Sequence, residues 1–168
     1  QGLLIKTGTN FDYLLKITNE TKTEYSDLVV YDTLPRSGDK NVFGTQDRSS
    51  EFDIHLRRVI TPPEGYTVFY TTSAEVYQKS MIEMVNTGIW TSSVSDYSAV
   101  TAFKIVANEG TALNGESTFE VRIPAQAPNQ LRLCRSRMKR PRRTRHPAPR
   151  HGWKQTTPLV FRRTSRPR

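Results

Sequence analysis

The sequence predicts an all-β protein: an antiparallel β-sandwich over residues 1–128, followed by a basic, disordered tail over residues 129–168. Three observations predict it. Apolar side chains recur at every second position in several short runs. Turn signals rich in Gly, Pro and Asn separate those runs. After Pro128 the acids disappear and arginines accumulate. No strand–helix alternation of the parallel α/β kind occurs, and no repeat of fixed period is visible.

Phe11, Tyr13, Leu15 and Ile17 alternate with Asp12, Leu14, Lys16 and Thr18, which predicts a half-buried strand. Residues 19–22 (NETK) then turn the chain. Residues 28–31 (LVVY) form a second strand, stopped at Asp32-Thr33-Leu34-Pro35 because Pro35 lacks a backbone donor. Residues 36–50 are polar, contain Gly38 and Gly44, and read as a long loop. Phe52, Ile54 and Leu56 alternate again, with His55 and Arg57 on the opposite phase. Pro62-Pro63-Glu64-Gly65 is a turn, and residues 66–72 (YTVFYTT) are the clearest strand in the chain.

Residues 73–98 follow neither period. A short helix over 75–85 competes with an irregular excursion, and Thr87-Gly88 favours the excursion. Residues 99–106 (AVTAFKIV) return to strand. Asn114-Gly115 suits a two-residue hairpin turn with positive φ at both central positions. Phe119, Val121 and Ile123 alternate after it, and Pro124 is expected to end that strand. Six or seven short strands and at most one short helix fit a sandwich around a single core.

The net charge of +9 divides unevenly. Residues 129–168 hold twelve Arg, two Lys and no acid, leaving eleven basic residues against all sixteen acids in residues 1–128, about −5. The tail has no apolar periodicity and cannot offset its ordering entropy by burial. Read as functional, it would bind nucleic acid or a membrane surface through Arg–phosphate contacts. The abrupt change of composition favours a different origin, a coding sequence read in the wrong frame. Cys134 is the single cysteine, so an intramolecular disulfide and a cysteine-based zinc site are excluded. No run approaches the roughly 18 apolar residues of a membrane span, and no signal peptide is visible. Gln1 in place of Met leads one to expect a fragment or a processed product.

Residues 11–35 (FDYLLKITNETKTEYSDLVVYDTLP) resemble a domain repeated in cell-wall-anchored surface proteins of Gram-positive bacteria. In those domains a strand ends in a Thr-Asn turn, and a second strand runs into Asp-x-Leu-Pro. Here these are Thr18-Asn19 and Asp32-Thr33-Leu34-Pro35. The resemblance continues through Gly38-Asp39, Arg48-x-Ser50, residues 66–70, Trp90 and residues 119–128, roughly three quarters of the chain. It implies an immunoglobulin-like sandwich that serves outside the cell, at the cell wall, as a stalk or adhesin unit. The implied partners are neighbouring domains of the same protein and a host or matrix ligand of unspecified kind. It implies no catalysis and no cofactor.

Some adhesin domains of this general type form an internal Lys–Asn or Lys–Asp isopeptide bond, which needs a lysine whose charged form burial disfavours. Lys6 and Lys16 lie in the early strands and are the crosslink candidates. Lys16 is on the polar phase, so a solvated surface lysine is the preferred reading. Leu34-Pro35-Arg36-Ser37-Gly38 imitates a sortase signal but lies inside the domain and reads as a turn. Residues 39–44 (DKNVFG) begin like a calcium loop, yet Phe43 stands where an oxygen donor belongs. Asp32 is expected to accept backbone N–H bonds and stop its strand. Trp90 and Tyr97 could make a sugar platform, with packing the preferred role. His55, His146 and His151 form no metal or catalytic spacing, and Asn19-Glu20-Thr21 matches a glycosylation acceptor. The expectation is a non-enzymatic surface module. Nucleic-acid binding through the tail, or a carbohydrate-binding module of a secreted enzyme, are the alternatives.

Overall fold

A computed structural model describes residues 7–129 other than Gly44, Ser49 and Glu51. Lys6 and nearly all of the basic tail therefore lie outside the described residues. Eight strands carry the fold: β1 (Asn10–Thr18), β2 (Tyr25–Ser26), β3 (Val29–Thr33), β4 (His55–Leu56), β5 (Tyr66–Thr71), β6 (Ala102–Ala107), β7 (Ala112–Leu113) and β8 (Thr118–Gln126). Among the described residues helix is confined to one turn, α1 (Met81–Met84), and two 3-10 turns, Ala74–Tyr77 and Tyr97–Ala99. The described chain is all-β.

Every strand pairing among the described residues is antiparallel. One sheet has the order β1-β8-β4, a second has β3-β6-β5, and β2 pairs with β7. The predicted alternation holds in β1 and β8. Tyr13, Ile17 and Ile123 point into a core that they share with Val68, Phe103 and Ile105 of the second sheet. On the other face of β1, Asp12, Lys16 and Thr18 are exposed.

The second sheet is covered on both faces. Residues 73–91 lie over its outer face, where Val76 and Met84 pack with Ala102, Tyr31 and Trp90. Without a strand or helix period of their own, these residues are held by local caps and by bonds to the sheet, among them the Lys104 Nζ to the Val85 carbonyl and the Tyr70–Thr91 backbone pair. The Ser80 side chain accepts from Glu83 N–H while the Glu83 carboxylate accepts from Ser80 N–H, a capping box that starts α1.

Four local expectations need correction. Pro124 does not end its strand; β8 continues to Gln126. The Pro124 carbonyl accepts from Arg57 N–H, and its missing donor falls on that same side, away from the long β1 pairing. Asn114-Gly115 is not a two-residue hairpin, because β7 pairs with β2 and β8 with β1. Positive φ falls instead on Glu116, at 56°. Gly115 is needed for close approach: a Cβ there would lie 2.5 Å from the Lys22 carbonyl oxygen. The run Phe52-Ile54-Leu56 yields a ladder only at His55–Leu56, and Phe52 is exposed. Finally, β3 includes Asp32, and its Oδ2 accepts the Tyr13 hydroxyl at 3.2 Å, which joins β3 to β1.

Candidate functional site

The densest polar construction follows β3. Leu34 is fully buried and Pro35 is buried with it, so the chain leaves the strand anchored in the core. Gly38, at φ 78°, reverses the chain and returns Asp39 beneath it. The Asp39 side chain is wholly buried, and its Oδ2 accepts from Arg36 N–H at 3.2 Å. The Arg48 guanidinium lies 3.4 Å from that oxygen and donates to the Thr33 carbonyl and hydroxyl at 3.3 and 2.8 Å. A buried carboxylate needs such partners to remain charged. Asp39 Oδ1 is buried and has no partner among the described residues.

The remainder of the calcium-like loop serves itself. Asn41 Oδ1 accepts from Phe43 and Thr45 N–H, and Lys40 and Asp47 form an isolated bridge. Among the described residues no cluster of three or more His, Cys, Asp or Glu could hold a metal ion. The sortase-like Leu34-Pro35 is enclosed rather than presented. His55 Nδ1 lies 3.0 Å from the Ser98 carbonyl.

Asn19 closes the β1 end of the fold. Its Nδ2 donates to the carbonyls of Thr23, Leu113 and Asn114 at 2.7, 3.2 and 3.0 Å. Its Oδ1 accepts from Thr21 N–H and Oγ1. The side chain is buried and saturated, and the turn after β1 hangs on it.

Of the crosslink candidates, Lys16 is exposed and faces Glu120 across the ladder, and Lys6 is outside the described residues. Sequence reasoning missed the perturbed lysine, Lys104 in β6. Its Nζ donates to the Val85 carbonyl at 2.7 Å and sits 5.1 Å from the Trp90 ring centroid and 5.6 Å from that of Phe69. Burial lowers its amine below the usual lysine range. A single lysine between Phe103 and Ile105 in an apolar run was the available signal. Among the described residues its contacts are a carbonyl and two rings, which hold a cation and supply no amide-forming partner.

Trp90 and Tyr97 do not make a common platform. The Trp90 indole N–H donates to the Met84 carbonyl at 2.9 Å, and its ring meets Tyr31 edge-on at 5.8 Å. Tyr97 meets Tyr70 edge-on at 5.3 Å, against the other core. Both therefore pack.

A shallow cleft of ≈ 340 Å³ opens on the outer face of the first sheet, where residues 58–63 peel away from β8. Asp12, Arg58, Glu120 and Arg122 line it with Pro62 and Pro124, so cations and acids alternate rather than converge. Arg57 spans its margin, donating to the Ala125 carbonyl at 3.0 Å and to Asp12 at 2.8 Å. Among the described residues no helix is long and apolar enough to cross a membrane. Compared with protein-family models, curated proteins and solved structures, the chain matches none.

Proposed function

We propose that residues 1–128 form an immunoglobulin-like, non-catalytic module of a bacterial cell-surface protein, acting as a stalk or adhesive unit at the cell wall. One observation carries this reading. The residues that bear the resemblance to Gram-positive surface repeats are the joints of the fold: Asn19 saturates the turn after β1, Asp32 ties β3 to β1, and Asp39 and Arg48 lock the chain beneath Leu34. A likeness concentrated in joints is a likeness of scaffold, and a scaffold is what a stalk unit contributes. The sheets' shared core and the charged outer face of β1 suit a solvated unit in a chain of neighbours.

Fractionation of the producing cells with an antibody to this chain tests the proposal. Recovery in the wall fraction, with digestion by protease added to intact cells, is expected. A signal confined to the cytosol overturns it.

A second reading rests on the fourteen cations of residues 129–168. It expects DNA binding that weakens steeply as salt rises.

A further inference from the structure

β1 ends the first sheet, and among the described residues no strand lies on its far side. Which of its backbone groups face that side follows from the ladder with β8. Asn19 N–H donates to the Ser117 carbonyl and Ala127 N–H to the Thr9 carbonyl, so the odd-numbered residues bond toward β8. Pro124, opposite Asp12, agrees: its carbonyl faces Arg57 on the other side of β8. The N–H and C=O groups of Asn10, Asp12, Leu14, Lys16 and Thr18 therefore point outward.

Other edges are partly engaged. Arg48 holds the Thr33 carbonyl of β3, and Tyr70 of β5 exchanges both backbone bonds with Thr91. A nine-residue edge such as that of β1 is a template for another strand.

The charge pattern says which strand fits. Asp12 lies two residues before Leu14 and Lys16 two after it, both exposed on the same face. We propose that the far edge of β1 is a homodimerisation surface, on which two copies of this chain pair antiparallel about Leu14. Leu14 then faces Leu14, and Asp12 of each copy faces Lys16 of the other. The outward backbone groups of each facing pair exchange two hydrogen bonds. On the inner face Tyr13 faces Leu15 and Phe11 faces Ile17, so each core continues into the next. Lys16 already faces Glu120, and Asp12 already holds Arg57. Charges thus alternate in sign across the joined sheets. Sliding the register to put Asp12 against Asp12, or Lys16 against Lys16, sets like charges in opposition. A shift that changes the pairing parity turns the apolar faces to opposite sides.

Sedimentation of the full chain from low to high micromolar concentration, at fixed salt, tests the pairing. A reversible dimer is expected. Leu14→Pro removes an outward donor at an edge, where proline is tolerated, and is expected to abolish the dimer while circular dichroism stays that of the parent. Lys16→Asp and Asp12→Lys each put like charges in opposition, and each is expected to weaken self-association about tenfold or more. Mixed together, those two variants are expected to form a heterodimer near parental affinity. Should Leu14→Pro fail to fold, the mixing experiment decides alone. A monomer at every concentration overturns the proposal. So does a monomer whose Asp12, Leu14 and Lys16 amides resist hydrogen exchange, since the chain's own residues would then cover the edge. A dimer that survives Leu14→Pro, or charge variants that fail to restore each other, overturn it as well.

Discussion

The first sheet turns its outer face to solvent, whereas residues 73–91 cover the outer face of the second. The sequences differ accordingly. β1 and β8 alternate over most of their length, because one side of each is largely open; the pattern breaks on the outer side at half-buried Leu14 and at buried Pro124. β5 and β6 carry apolar or aromatic residues on both phases, because both sides meet protein: Phe103 and Ile105 enter the core between the sheets, while Ala102 packs beneath Met84 on the other side. Alternation thus marks an open face, and a filled run marks a covered one. The cover itself carries no period, since its side chains come from turns.

Truncation on each side of β6 separates the two cores. Phe103→Ala empties the core that both sheets share and is expected to cost about 3–5 kcal/mol in denaturant unfolding. A loss below about 1 kcal/mol would mean that the sheets do not depend on each other. Met84→Ala acts on the cover alone and is expected to cost about 2–3 kcal/mol. Hydrogen exchange should then quicken at residues 85–91 while β1 and β8 keep their protection. Equal quickening in β1 would show that the cover and the first sheet open together.

The smallest effect belongs to Tyr31, whose buried hydroxyl has no partner among the described residues. Tyr31→Phe is expected to change stability by less than about 0.5 kcal/mol at neutral pH. Alkali should distinguish it. Burial, foremost, pushes the phenols of Tyr31 and Tyr77 up to about 12. Above pH 10 the unfolded chain loses these protons first. Their contribution is therefore complete below pH 10 and drains away as pH rises toward 12. Unfolding midpoints measured across that window should fall, and fall less in Tyr31→Phe. An unchanged slope would place the alkaline loss elsewhere.

Periodicity reported the strands that carry most of the fold, because side-chain alternation is a local property. It misreported features set by partners. Pro124 looked like a terminator because a sequence does not show which way a backbone donor faces. Asn114-Gly115 looked like a hairpin because β2, the true neighbour of β7, lies far away in the chain. Lys104 escaped notice while Lys6 and Lys16 drew it, since burial by residues 73–91 has no local signature beyond the apolar company of its strand. The Asp39–Arg48 pair spans a polar loop whose composition suggested solvent, though Gly38 turns the carboxylate inward.

The crossing at Gly115 also bears on how the protein ages. Asn-Gly is the dipeptide most prone to deamidate, since the glycine amide can swing onto the asparagine side chain and close a succinimide ring. Here the backbone of Gly115 is pressed against Lys22, and the Asn114 carbonyl is gripped by Asn19 and Ser117. That grip on the backbone is expected to slow ring closure, and the rate at which Asn114 converts to aspartate, followed by mass spectrometry, would report how often this end of the fold comes undone.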